Sequence, residues 1–210
     1  MAADPLGEAH RRHLDDILRR RRDVRRFRTD PVEPRVLAAV EASVDLAPSV
    51  GNSRPWRFVR VADPARRARV RASFEAANAA AARTYAGRAA EDYRALKLAG
   101  LDEAPVHLAV FTDPEPAEGR GLGRATMPET LDYSTVMAIH TLWLAARAWG
   151  LGLGWVSILD PATVTAALDV PAHWRLTGYL CLGWPEAESE TPELETAGWQ
   201  ARAPSVWLDR

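Results

Sequence analysis

The chain has 210 residues, 47% hydrophobic and 26% charged, a balance that excludes a disordered or membrane-embedded protein and fits a single domain over residues 1–210. Its 27 basic and 28 acidic residues leave a formal net charge of -1, so nothing global favours nucleic acid or an anionic membrane as partner. Neither a signal-peptide core at the N-terminus nor a long apolar span elsewhere is present, which predicts a cytoplasmic protein.

Leu6 to Arg22 reads as a first helix and Pro34 to Leu46 as a second, with Pro34 at a first helical position and Val36, Leu37, Val40 and Val44 as apolar positions. Arg26 to Glu33 is the loop between them. Trp56 to Val61 alternates apolar and basic residues as a half-buried strand does, and the Ala- and Arg-rich stretch from 65 to 90 favours helix. Val106 to Phe111, a compact apolar run after Pro105, suits a central strand. Pro128 to Trp149 is the strongest helical pattern, with positions 131, 136, 139, 142, 143 and 146 on its buried face and a stop at Gly150. Gly152 to Leu159 follows as a strand, Asp160-Pro161 has the capping chemistry of a short helix, and Leu176 to Leu182 is a last core strand. Strands so separated by helices predict an α+β order with a small sheet between helical layers.

The lone Cys181, inside an apolar run, reads as a buried structural thiol. The five histidines (10, 13, 107, 140 and 173) show no metal-ligand spacing, and no metal is expected.

Three clusters can carry chemistry. In Arg19-Arg-Arg-Arg-Asp-Val-Arg-Arg-Phe27, a continued helix would put Arg21 and Arg25 on one face, and guanidiniums converging at a helix end can clamp a phosphate. A solvated basic face complementing the helix dipole is the alternative. Asp23, an acid among cations, stays ionised and can accept a proton or a hydroxyl hydrogen bond, or make a simple salt bridge. Pro48-Ser-Val-Gly-Asn-Ser-Arg-Pro-Trp56 joins helix to strand through small, permissive residues, which lets a ligand's polar edge approach the backbone or merely forms a connecting loop. In Gly150-Leu-Gly-Leu-Gly-Trp-Val-Ser157 the glycines alternate, unlike the GxGxxG of a dinucleotide fold. A flat ring can lie against such an edge with Ser157 beside it, or the glycines can serve close packing. Ser157 lacks a GxSxG context, which excludes a serine hydrolase of that type. Trp56, Trp155 and Trp199 each lie near one of the suspected segments.

Taken in order, Arg-Arg-Asp-Val-Arg at 21–25, Pro-Ser-Val-Gly-Asn-Ser-Arg-Pro-Trp at 48–56 and Gly-Leu-Gly-Leu-Gly-Trp-Val-Ser at 150–157 resemble the motifs of the nitroreductase-like flavoproteins, from about Arg20 to Arg202. The resemblance implies an α+β, nitroreductase-like three-layer sandwich, a small mixed sheet flanked by helices, dimeric, with FMN at the interface of a homodimer. Ordinary members are similar to Arg-Arg-Ser-hydrophobic-Arg at the first motif. Asp23 stands here instead, and Gly123-Arg-Ala-Thr-Met-Pro-Glu-Thr-Leu-Asp-Tyr-Ser134, Leu142-Trp-Leu-Ala-Ala-Arg147 and Gly154-Trp-Val-Ser-Ile-Leu-Asp-Pro161 resemble the BluB-type branch of that family.

That branch implies that reduced FMN is consumed as substrate, with dioxygen as co-substrate, to give erythrose 4-phosphate and 5,6-dimethylbenzimidazole, the lower ligand of cobalamin. An external flavin reductase would supply the reduced FMN. By the same resemblance Arg21, Arg22 and Arg25 contact phosphate and ribityl chain, Arg202 adds a phosphate contact, Ser49 and Asn52 contact the flavin, and Val24, Gly154 and Trp155 line its site. Asp23 and Ser157 are the implied catalytic pair, Asp23 moving protons at the ribityl chain and Ser157 hydrogen-bonding the ring or its oxygen adduct. Arg54 departs from the Gln common in the family. A lid is expected over 85–100, with Tyr93 and Lys97. An NAD(P)H-dependent nitroreductase or flavin reductase, and a non-catalytic flavin-binding protein, are the competing functions; packing of the tail 203–210 on a partner subunit is left open.

Overall fold

The computed structural model describes residues 6–210. Four strands, β1 (Trp56–Arg60), β2 (Val106–Thr112), β3 (Gly152–Val156) and β4 (Arg175–Gly183), form one sheet in the order β1-β2-β4-β3, with every neighbouring pair antiparallel. The parallel component that a mixed sheet requires is confined to an isolated bridge between Asp23 and Leu153 on the outer edge of β3. Alternation along the strands divides their side chains between two cores. Leu108, Val110, Leu180 and Leu182 face one, with Val36 and Val40 of α2 (Pro34–Ala42) and Ile139 and Leu142 of α5 (Thr130–Ala148). Ala109, Phe111, Tyr179 and Cys181 face the other, with Val70 of α3 (Pro64–Ala82) and Val164 and Leu168 of α6 (Pro161–Leu168). Helices on both faces of one sheet make the three layers that the sequence predicts.

Local chemistry explains the element ends. Asp63 and Asp160 cap α3 and α6 by accepting from Ala65 N and Thr163 N, each at 2.8 Å, and each is followed by a proline at the first helical position. α1 (Glu8–Arg20) stops two residues before the predicted end because Arg21 is extended, with φ -67° and ψ 115°. Arg21 and Arg25 therefore do not share a helical face. The predicted second helix tightens to a 3₁₀ turn over Ser43–Leu46. β3 ends at Val156, short of Leu159, because the chain turns there and Leu159 N donates to Ser157 O. On α5, residues 131, 139, 142 and 146 are buried as expected, whereas Val136 lies 41% exposed on the outer face with Tyr133 and Met137.

Candidate active site

The outer edge of β3 is not open. The segment after α1 runs beside it, Val24 N donating to Leu153 O at 3.0 Å and Trp155 N donating to Asp23 Oδ1 at 2.8 Å. A side-chain carboxylate thus replaces the ladder acceptor that a further strand would supply. Asp23 Oδ2 accepts from Arg25 Nε at 2.9 Å, and Arg25 Nη1 reaches Lys97 O at 3.2 Å, so one acid ties β3, the arginine cluster and the chain near residue 97 together.

Two alternate glycines make this approach possible. A Cβ on Gly154 would fall 2.0 Å from Val24 O, and one on Gly152 would fall 2.7 Å from a Val24 methyl. Of the two readings of these glycines, the contacts of Gly152 and Gly154 favour close packing: Val24 occupies that face, with backbone against backbone at Gly154. Trp155 is held likewise, its indole lying where Gly178 of β4 has no side chain.

The arginines converge from two directions. Arg21 lies over the ring of Trp143 at 4.9 Å, and Trp143 Nε1 donates to Arg22 O at 3.1 Å. Arg22 donates through Nε to Glu190 O at 2.9 Å and through Nη2 to the same oxygen. Burial, then the positive charges of Arg21 and Arg202, hold the Arg22 guanidinium below its ordinary pKa. Arg202 comes from the far end of the chain and pairs with Glu195 at 2.9 Å. A cavity of about 280 Å³ opens beside this group, lined by Arg22, Asp23 and Arg25 together with Arg147 and Glu188. A larger one, about 660 Å³, lies between α3 and α6, lined by Ala72, Ser73, Asp160 and Thr163 among others and by none of Arg21, Arg22, Arg25 and Arg202; the smaller cavity is the one that adjoins the arginine cluster.

Ser157 is exposed just past the end of β3, two residues from the Trp155 amide that binds Asp23. Ser49 and Asn52 lie elsewhere. Their loop has positive φ at Gly51, Asn52 and Arg54, a strained run held by Ser49 Oγ, which accepts from Arg54 N at 3.1 Å, and by Ser134 Oγ of α5, which accepts from Val50 N at 3.0 Å. Gly119 and Gly123 leave the room that Ser53 and Val50 fill, which gives the Gly123–Ser134 block a buttressing role. Arg54 turns away to Asp45, with Nη2 to the backbone oxygen at 3.0 Å.

The residues expected to form a lid include α4 (Gly87–Ala95), but Tyr93 is buried and donates to Asn78 of α3 at 2.7 Å, and the Lys97 ammonium pairs with Glu103 at 2.7 Å. Their polar groups are directed to the body of the protein. Sequence reasoning missed Trp143, which looked like one more apolar position of α5, and the acidic stretch from Glu186 to Glu195, whose Glu188 pairs with Arg20 and Arg147. The alternation of Glu with Pro-rich turns after β4 was the available signal for the latter. Cys181 is buried, as expected, and burial pushes its thiol up to about 12.

A four-stranded sheet between two helical layers, with an arginine cluster along its edge, defines a three-layer α+β class, and the family model described as "Nitroreductase family" matches residues 18–184. The chain belongs to the nitroreductase family. It is 58% identical over 205 residues to a 5,6-dimethylbenzimidazole synthase of Rhodospirillum rubrum, covering 97% of each chain. It is 56% identical over 203 residues to one of Rhodobacter capsulatus, covering 97% of this chain and 98% of the relative. Among solved structures it is similar to iodotyrosine deiodinase bound to FMN and 3-iodo-L-tyrosine, with a TM-score of 0.74 and 25% identity over 94% of this chain and 98% of that one.

Proposed function

We propose that this chain catalyses the oxygen-dependent fragmentation of reduced FMN to 5,6-dimethylbenzimidazole and erythrose 4-phosphate. The observation that carries the reading is the end-to-end similarity to relatives of that name, with Asp23 built into the centre of the candidate site.

The residues fit the flavin. Arg21 and Arg202 both stand close enough to Arg22 to disfavour its charge, an arrangement that a phosphate dianion relieves. These three, with Arg25, hold the phosphate and ribityl chain; Ser49 and Asn52 meet the ring. Reduced FMN, when bound, supplies both the electrons that activate dioxygen and the carbon skeleton that is cleaved. Each Asp23 oxygen accepts one hydrogen bond and keeps a second lone pair, so the carboxylate can hold or pass a proton at the ribityl chain without leaving β3. Ser157, exposed at the strand end, donates from Oγ to the ring or to oxygen reacting there. Val24 and Gly154 position Asp23 by their mutual packing, and Trp155 presents the amide that orients it.

Within one chain the halves of this site are far apart. Ser134 binds the Ser49–Arg54 loop and Trp143, nine positions further along α5, binds the arginines, about 14 Å of helix away. We read this as a site completed across a homodimer, each flavin taking its arginines from one subunit and its Ser49 loop from the other. The exposed Tyr133, Val136 and Met137 of α5 and the tail with Trp207 are the surfaces such a dimer covers.

The test is to mix the protein with FMN kept reduced by a separate reductase, admit air, and look for 5,6-dimethylbenzimidazole by chromatography and mass spectrometry. Product that requires reduced FMN and dioxygen supports the reading. Intact flavin, with NADH consumed by this protein alone, replaces it with a flavin reductase; FMN binding without either reaction replaces it with a flavin carrier.

A further inference from the structure

Arg202 lies close enough to the like charge of Arg22 to act on it, and something must hold it there before an anion arrives. Its pairing with Glu195 is largely exposed, the kind of ion pair that contributes little. The remaining candidate is three residues upstream. α7 (Glu193–Thr196) ends in a Schellman turn, with Trp199 N donating to Leu194 O at 2.9 Å, Gly198 N donating to Glu195 O at 3.0 Å, and Gly198 at φ +73°. That turn swings Trp199 onto α4 and its leading loop, where its ring lies 5.5 Å from Tyr85 and 6.1 Å from Tyr93, both as edge contacts. Tyr85 and Tyr93 stack on each other at 4.7 Å, and Tyr93 is fixed to Asn78 of α3. Every residue from Gln200 to Arg210 is exposed, which makes Trp199 the last point at which the chain grips the body of the protein.

We propose that Trp199 is a positioning residue: by fastening the C-terminal strap to the Tyr85–Tyr93 stack it holds Arg202 beside Arg22 as a further cation for a phosphate monoester. A tether of three residues spans at most about 10 Å, so the anchored strap confines Arg202 to a small volume at the clamp, and its release dilutes the charge into solvent. The inference rests on the reading of Arg21, Arg22 and Arg202 as the phosphate clamp.

The experiment is a titration of the full chain with FMN and, separately, with riboflavin, followed by flavin fluorescence. Arg202→Ala should weaken FMN about tenfold and leave riboflavin unchanged, the scale of one charge-assisted contact. Trp199→Ala should give the same FMN-selective loss, the double variant should lose no more than either single one, and Trp199→Phe should recover most of the affinity. Tyr85→Leu, which removes the other side of the contact, should match Trp199→Ala and serves if that variant does not fold. An Arg202→Ala protein that still prefers FMN as strongly as the parent overturns the clamp assignment of Arg202 and the proposal with it. Selective loss for Arg202→Ala with none for Trp199→Ala and Tyr85→Leu leaves the clamp standing and overturns the positioning role. So does a Trp199→Ala effect that multiplies with that of Arg202→Ala, or that weakens riboflavin equally.

Discussion

At the scale of single residues, Asp23 does two jobs that substitution can separate. Asp23→Asn keeps an amide oxygen for Trp155 N while removing the negative charge beside Arg25, so the fold and FMN binding should survive and product formation should fall. Ser157→Gly, at an exposed position, should do the same with still less effect on stability. Full fragmentation activity in either variant, measured as product per turnover of reduced FMN, removes that residue from the mechanism. Asp23→Ala additionally leaves the Trp155 amide and Arg25 Nε without their acceptor, and should lower stability in urea by about 1–3 kcal/mol. Gly154→Ala should be worse, because its Cβ meets backbone rather than a movable side chain. A cost above about 3 kcal/mol, or no folded protein, is expected. The residues of both motifs were legible in the sequence, but their relation was not. Nothing in the spacing of Arg21–Arg25 and Gly150–Ser157 tells that Val24 fills the gap left by Gly154, since that contact spans most of the chain.

At the scale of elements, the strands and helices followed their patterns closely, and departures have local causes. The alternation from Trp56, the Asp160-Pro161 cap of α6 and the glycine after α5 mark ends that the structure keeps. Strand order was not legible, because β2, β3 and β4 are all apolar runs and nothing in them tells that β3 takes an edge while β2 and β4 pair at the centre. Their actual pairing places His107 opposite Cys181, with His107 Nδ1 2.9 Å from the Tyr179 hydroxyl inside the core. Burial first, then the positive Arg67, lowers the imidazole to about 4 from 6.5. Above pH 6.5 His107 is neutral whether folded or not. Below it the unfolded chain takes up a proton that the fold refuses, so stability falls as the pH falls from 6.5 towards 4. Between pH 7.5 and 5 the loss should be about 2 kcal/mol in urea unfolding. His107→Gln should remove this part of the pH dependence; an unchanged slope in that variant would assign it to other groups.

At the scale of the whole molecule, the question is why α5 shows apolar side chains on two faces. Its inner face packs on the sheet, which the sequence pattern captures, but a periodicity count treats Val136 as one more core position because it cannot distinguish a chain's own core from a surface awaiting another chain. Tyr133, Val136 and Met137 lie together on the outer face, 54%, 41% and 39% exposed, with Met127 exposed just before the helix. Apolar side chains gathered on one side of a helix mark an association surface, and a two-fold dimer would pair this face with itself. Sedimentation of the parent protein should therefore give a dimer. Met137→Glu, which places a charge on that outer face without touching either half of the site, should shift it to monomer. If the site is completed between subunits, the same variant should lose FMN binding in step with dimer dissociation, and raising its concentration should restore both together. A monomer that binds FMN as tightly as the parent would place the whole flavin site within one chain and leave the outer face of α5 with some other partner.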